Sequence, residues 1–175
     1  SRTQVVKIPR YSDREIVDNL LGRFDLTEAE ARRVALLSEG NLKLAESLVE
    51  RQEGDSENFK RLQFWLRLCY RKDVTGLLQT ADELSRIGRE NQKALLAYGL
   101  RIIRRCLLVN HRLDSLVRLE GEELAFVNGL SGYVHPGNGD ELADAFNQAL
   151  YHIERNANAK ILFADLSMKV TALMA

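Results

Sequence analysis

Residues 11–49 read YSDREIVDNLLGRFDLTEAEARRVALLSEGNLKLAESLV and contain three helix starts in close succession. The first is a capping box: the Ser12 side chain can accept the backbone amide of Glu15, while the Glu15 carboxylate reaches back to the amide of Ser12. Thr27 and Glu30 repeat the same pattern fifteen residues later. The stretch therefore predicts short helices that begin at defined residues.

The third helix start follows a predicted helix end. Gly40 suits the left-handed backbone position that ends a helix, and Asn41 can cap the helix that follows. Each predicted helix carries apolar residues at helical spacing, which we expect to face inward: Ile16, Val17, Leu20 and Leu21; Ala31, Val34, Ala35 and Leu37; Leu44, Ala45, Leu48 and Val49. Residues 11–52 are thus predicted to form a small three-helix domain.

The rest of the chain predicts a larger helical domain. Residues 53–56 are the best candidate linker, because they are polar and contain Gly54, with a new helix cap expected at Asp55 or Ser56. The segment 57–72 is so apolar that we expect burial on more than one side. Further helices are predicted near 73–87, 90–110, from Glu122, 140–155 and 158–174, with a loop at 131–139. Residues 57–175 should form a bundle of about six helices, and the fold class is all-α.

Composition excludes several classes of function. The 175 residues carry 25 basic and 25 acidic side chains, so a dominant non-specific nucleic-acid role has no support. Cys69 and Cys106, the only cysteines, lack metal-ligand spacing and are expected to be buried free thiols in a reducing cytoplasm. No apolar run approaches the roughly 20 residues of a membrane span, and no signal peptide is visible. We therefore expect a cytoplasmic protein without a metal or a membrane partner.

Three segments of the second domain carry a family resemblance. They read GRENQK at 88–93, GYVHPGN at 132–138 and HIERNANAKILFADL at 152–166. In this order and spacing they resemble the C-terminal region of the delta-prime-type subunit of the bacterial DNA polymerase III clamp loader. Ser1-Arg2-Thr3-Gln4 resembles the junction between nucleotide-binding core and helical lid in the same AAA+ family. The resemblance covers essentially the whole chain.

The resemblance implies a non-catalytic fragment of a modular subunit. Residues 1–10 would end a nucleotide-binding core, residues 11–52 would form the lid, and residues 57–175 would form the collar that joins subunits into a ring. The implied partners are the other clamp-loader subunits, and, through the whole complex, the sliding clamp and primed DNA. The sequence has no GxxxxGK[ST] phosphate loop. We expect no cofactor in this fragment, and a parent subunit that is not itself an active ATPase.

Two residues match nucleotide-related positions of that family. Arg2 matches its arginine finger, which stabilises charge on the γ-phosphate of a neighbouring subunit's ATP, with Thr3 where cysteine is usual. The alternative is an exposed arginine at a chain end. Lys43 stands where the family's lid carries a nucleotide-sensing arginine. A lysine can contact phosphate as a point charge, but the departure from arginine favours a solvated side chain.

A basic ridge is predicted on the helix from 89 to 112. Spacings of about four residues or multiples place Arg89, Lys93, Arg101, Arg105 and Arg112 on one face, with Arg104 alongside. Such a ridge could contact DNA or an acidic neighbour. Because no ladder of aromatic residues interleaves with it for base stacking, a solvated or subunit-facing surface is favoured, and subunit contact is the preferred functional interpretation.

Three other functions stay open at this point. The chain could be a helical adaptor with no part in replication, or a DNA-binding module that uses the basic ridge. An ATPase in its own right is disfavoured, because no phosphate loop occurs. The sequence contains no catalytic arrangement of serine, histidine and an acidic residue that stands out from chance. The same is true of paired carboxylates, because a helical sequence so rich in Asp and Glu contains many such pairs.

Overall fold

The computed structural model describes residues 10–117 and 119–174, and within these ranges the chain is all-helical, which confirms the predicted fold class. Residues 4–8, whose alternating sequence weakly predicts a strand, lie outside them. The described helices are α1 (Asp13–Arg23), α2 (Glu28–Ser38), α3 (Leu42–Arg71), α4 (Val74–Ser85), α5 (Arg89–Asn110), a 3-10 turn (Asp114–Leu116), α6 (Gly121–Leu130), α7 (Gly139–Glu154) and α8 (Ala159–Leu173).

The chain divides into two compact units, Ser1–Asp55 and Ser56–Ala175. The boundary between them falls inside the predicted linker, residues 53–56. The first unit contains α1, α2 and the first part of α3. The second contains the remainder of α3 and helices α4 to α8.

Local capping builds the first unit as predicted. Both capping boxes form, since the hydroxyls of Ser12 and Thr27 accept the amides of Glu15 and Glu30 and the two carboxylates reach back. Asn41 Oδ1 accepts the amide of Leu44 at 3.1 Å and so caps α3. The core of this unit is formed by seven apolar residues: Ile16, Leu20, Ala31, Val34, Ala35, Ala45 and Val49.

The turn between α2 and α3 requires glycine. Gly40 has φ +82°, as predicted, and a Cβ there would lie 2.8 Å from both Arg10 Cβ and the Tyr11 carbonyl oxygen. Glu39, which ends α2, also adopts the left-handed conformation, with φ 47°. Three leucines predicted to face inward are instead exposed: Leu21, Leu37 and Leu44. They lie at the edges of their apolar stripes, where a short three-helix core does not reach.

The predicted helix break before residue 57 is wrong. Residues 51–56 are helical and belong to α3, so no new helix start occurs at Asp55 or Ser56. The physical reason is that Gly54 alone is a weak helix breaker, costing about 1 kcal/mol relative to alanine. Its neighbours from Glu50 to Glu53 all favour helix, and none of them is proline.

Trp65 lies at the centre of the second unit. It is completely buried, and its ring lies 5.7 Å from that of Phe146 and 6.0 Å from that of Phe163. Gly99 lies so close to Phe146 that a Cβ would meet the ring edge. Through these contacts α3, α5, α7 and α8 share one core, and α4 packs on α8.

Two asparagine side chains hold the predicted loop at 131–139 in place. Asn110 Nδ2 donates to the carbonyl oxygens of Ser131 and Val134 at 3.0 and 2.8 Å. The buried Asn138 Nδ2 donates to the carbonyl oxygens of Tyr133 and Leu173, both at 2.8 Å. The loop is thereby tied to the ends of α5 and α8.

Candidate functional site

The predicted basic ridge is the solvent-facing side of α5, except that Arg112 lies in the turn beyond the end of this helix, with φ 58°. The opposite side of this helix is buried in the core of the second unit through Leu95, Ile102 and Cys106, among others. Each residue turns an α-helix by about 100° around its axis. Arg89, Lys93 and Arg104 therefore fall on one stripe along α5, and Arg101 and Arg105 fall on a second stripe. These five residues are called the basic face below: Arg89, Lys93, Arg101, Arg104 and Arg105.

Two members of the basic face interact within the helix itself. Lys93 Nζ lies 2.7 Å from Glu90 Oε2, and this ion pair partly neutralises its charge. The Arg101 guanidinium lies 5.0 Å from the centroid of the Tyr98 ring, which is buried, in a cation–π contact. The Tyr98 hydroxyl donates to the Glu123 carboxylate on α6. The charges of Lys93 and Arg101 are therefore partly committed.

The other three arginines of the basic face are available. Arg89 and Arg104 are exposed and Arg105 is half-buried, and none of them forms an ion pair with any residue that the structure describes. The helix carries five basic residues and one acidic residue, so the rest of the neutral chain holds 20 basic and 24 acidic residues. Positive charge is thus concentrated on this helix rather than spread over the protein.

Lys43 lies in the first turn of α3. It is exposed and lines an open depression of about 900 Å³ together with Arg10, Tyr11 and Asn41. Arg10 Nη1 donates to the Glu39 carbonyl oxygen at 3.2 Å on the rim of the same depression. Within the described residues Lys43 forms no ion pair, so its placement is that of a solvated lysine. Arg2 lies outside the described residues, and its arginine-finger role stays a prediction.

The two cysteines are buried, as predicted from the sequence, and are poor nucleophiles. Burial raises the pKa of the Cys69 thiol to about 11 and that of the Cys106 thiol to about 12. Since the thiolate is the reactive form, neither can serve as a nucleophile near neutral pH. Among the described residues, no three His, Cys, Asp or Glu side chains come together as a metal site. No described helix is long and apolar enough to cross a membrane.

A groove between α3 and α6 was not predicted. It has a volume of about 520 Å³, and the rings of Tyr70 and Tyr133 lie 4.9 Å apart at its side. The hydrogen bond with Tyr70 raises the pKa of Tyr133. The expectation that segment 57–72 is buried on several sides is wrong at two aromatic residues, since Phe64 is 56% and Tyr70 55% exposed. Aromatic content alone did not reveal this, because the neighbouring helices cover only one side of α3.

Comparisons of this chain with known protein families, with curated proteins and with solved structures found no match. A functional conclusion therefore depends on the residues and on their placement.

Proposed function

We propose that this chain is a non-catalytic part of a delta-prime-type subunit of the bacterial DNA polymerase III clamp loader, and that it acts in the cytoplasm to assemble the ring that loads the sliding clamp onto primed DNA. The observation that carries the proposal is the division of the chain after Asp55 into a small helical unit and a larger helical bundle. A lid at 11–52 followed by a collar at 57–175 requires such a division. The three family-like segments at 88–93, 132–138 and 152–166 all lie in the larger unit.

In the proposed assembly the chain contributes surfaces rather than chemistry. The basic face of α5 is the preferred surface for contact with a neighbouring subunit, because arginine-rich faces are common at protein interfaces. ATP would be bound and hydrolysed by neighbouring subunits. Arg2 would contribute its guanidinium to a neighbour's γ-phosphate, where a finger supplied in trans can accelerate hydrolysis by about 10³- to 10⁵-fold. Lys43 is proposed to be solvated rather than to sense nucleotide.

The proposal is tested by reconstitution. The chain is mixed with purified subunits of a bacterial clamp loader, and the masses of the products are measured by size-exclusion chromatography with light scattering. We expect the chain to co-elute with at least one ATP-binding subunit. If it elutes alone from every mixture while the other subunits assemble, the clamp-loader proposal is wrong and a helical adaptor becomes the better explanation.

A further inference from the structure

We infer that the basic face of α5 docks an acidic segment of a partner protein, presented as a helix or an extended strand with carboxylates along one side. The identification of that partner as a clamp-loader subunit rests on the proposed function. The docking chemistry does not, because it follows from the charge, the exposure and the composition of this one helix face.

The unpaired arginines set the charge that the partner must carry. Arg89, Arg104 and Arg105 have no acidic partner among the described residues, and the one acidic residue of α5, Glu90, is engaged by Lys93. At a rise of about 1.5 Å per residue, Arg89 and Arg104 lie about 22 Å apart along the helix. A complementary segment therefore needs carboxylates spread over roughly four helical turns. Salt screens exposed charges beyond about 8–10 Å, so the partner must come into direct contact.

The type of basic residue also favours bidentate recognition. The three unpaired members of the basic face are all arginines, whose planar guanidinium groups form paired hydrogen bonds with carboxylates or phosphates. Lysine would supply charge without this geometry. Because arginine binds both carboxylates and phosphates, it does not by itself distinguish an acidic protein from a nucleic acid as the partner. The residues between the arginines distinguish the two.

The side chains between the arginines favour a protein partner. Ala97 and Leu108 lie on the same side of α5 and are only partly buried, so the face combines positive charge with apolar contact area. That mixture is typical of protein interfaces. Single-stranded nucleic acids are bound by exposed aromatic rings that stack on bases, and the one aromatic residue of α5, Tyr98, is 1% exposed. The face therefore suits carboxylates on a protein better than phosphates on a nucleic acid.

The inference is tested by reversing charge at two of the unpaired arginines. The double variant Arg104→Glu with Arg105→Glu is compared with the double variant Lys60→Glu with Arg71→Glu, which changes the formal charge equally at two exposed positions on α3 of the same unit. Thermal unfolding followed by circular dichroism checks that both variants fold. Binding to the clamp-loader subunit found by reconstitution is then measured at two salt concentrations.

We expect the α5 variant to bind that subunit at least about tenfold more weakly, since reversal at a contact turns attraction into repulsion. The α3 control should bind like the unmodified chain. Replacing both arginines with lysine should leave intermediate binding. If the α5 variant binds normally, or if both variants lose binding equally, the inference is wrong while the clamp-loader proposal stands.

A second binding experiment tests the inference even if no clamp-loader subunit binds the chain. The probes are a labelled glutamate-rich helical peptide of about 15 residues, long enough to follow the face, and a labelled single-stranded oligonucleotide. Binding of the peptide that is lost with the α5 reversal and retained in the α3 control supports the inference, although the proposed function would have failed. Absence of peptide binding overturns it. The inference is also overturned if the chain binds the oligonucleotide more tightly than the peptide, with a strong salt dependence, and if the α5 reversal abolishes this binding. That result would favour a nucleic-acid surface.

Discussion

Trp65 Nε1 donates a hydrogen bond to Ser167 Oγ at 2.8 Å, which joins α3 to α8 between residues 102 positions apart in the chain. Both residues are completely buried. The Ser167 hydroxyl in turn donates to the Phe163 carbonyl oxygen at 2.6 Å. The indole N–H therefore depends on the Ser167 hydroxyl for its hydrogen bond.

Replacing Ser167 with alanine should destabilise the protein by about 1–3 kcal/mol, because it leaves the buried indole N–H without an acceptor. Urea unfolding followed by the fluorescence of the single tryptophan measures the change. Ser47→Ala is the matched control, since Ser47 Oγ also donates to a backbone carbonyl but is exposed; we expect a change within about 0.5 kcal/mol. Equal effects of the two substitutions would contradict the role given to the Trp65–Ser167 bond.

Replacing Gly99 with alanine should destabilise the second unit by about 1–3 kcal/mol, because the new methyl group overlaps the Phe146 ring in a filled core. Gly129→Ala on α6 is the control, because a Cβ there meets nothing within 4 Å. It should be neutral or stabilising by up to about 1 kcal/mol. Urea unfolding followed by the fluorescence of Trp65 measures the stability of both variants. If the Gly99 variant were as stable as the Gly129 variant, α5 and α7 would be less closely packed than the structure shows.

Replacing Gly54 with alanine should stabilise the protein by about 0.5–1 kcal/mol, because Gly54 lies inside continuous α3 with open space around it. Gly88→Ala tests the opposite case. Space is also open there, but φ is +86°, so alanine should be strained and destabilising. Both changes are read from thermal unfolding by circular dichroism. A destabilising Gly54→Ala would mean that the chain bends at this residue in solution.

The capping boxes should make the first unit sensitive to acid. Hydrogen bonds from the backbone and side chain of Ser12 lower the pKa of Glu15, and those from the side chain and backbone of Thr27 lower the pKa of Glu30. A native pKa below the unfolded value stabilises the fold above the unfolded pKa, near pH 4 for glutamate, and this stabilisation is lost as pH falls through the native value.

Substituting both glutamates with glutamine removes the titration but keeps a hydrogen-bonding side chain. Thermal unfolding of the unmodified chain and of the Glu15→Gln, Glu30→Gln variant is followed by circular dichroism between about pH 6 and pH 2. We expect the unmodified chain to be more stable near pH 6 and the difference to shrink as pH falls. A difference independent of pH would mean that the two carboxylates are not the titrating groups.

The Arg2 prediction requires the complete assembly. If Arg2 acts as an arginine finger, Arg2→Ala in the intact subunit should slow ATP turnover by the reconstituted clamp loader by at least about tenfold, while ring assembly is unchanged. Arg10→Ala is a suitable comparison, because Arg10 is exposed and its hydrogen bond and ion pair with Glu39 lie within the first unit. Unchanged turnover with Arg2→Ala would remove the finger role.

Local features of the fold could be predicted because their partners are close in sequence. The capping boxes at Ser12 and Thr27 form as predicted, and Asn41 Oδ1 accepts the amide of Leu44 at 3.1 Å to start α3. The same proximity explains the basic face, since residues four apart on a helix share a side whatever surrounds them. The continuity of α3 was missed because Gly54 and the polar residues beside it fit both a linker and an exposed helix.

The sequence by itself determined that this protein is helical, where α1, α2 and α3 begin, and that positive charge is concentrated on α5, because capping and helical periodicity act over three or four residues. Only the tertiary structure decided that Trp65 meets Ser167, that Asn110 and Asn138 hold the 131–139 loop, and that Tyr70 faces solvent while Tyr98 is buried. These outcomes depend on which helices pack together. That choice is made by contacts between residues far apart in the chain, and no local pattern specifies them.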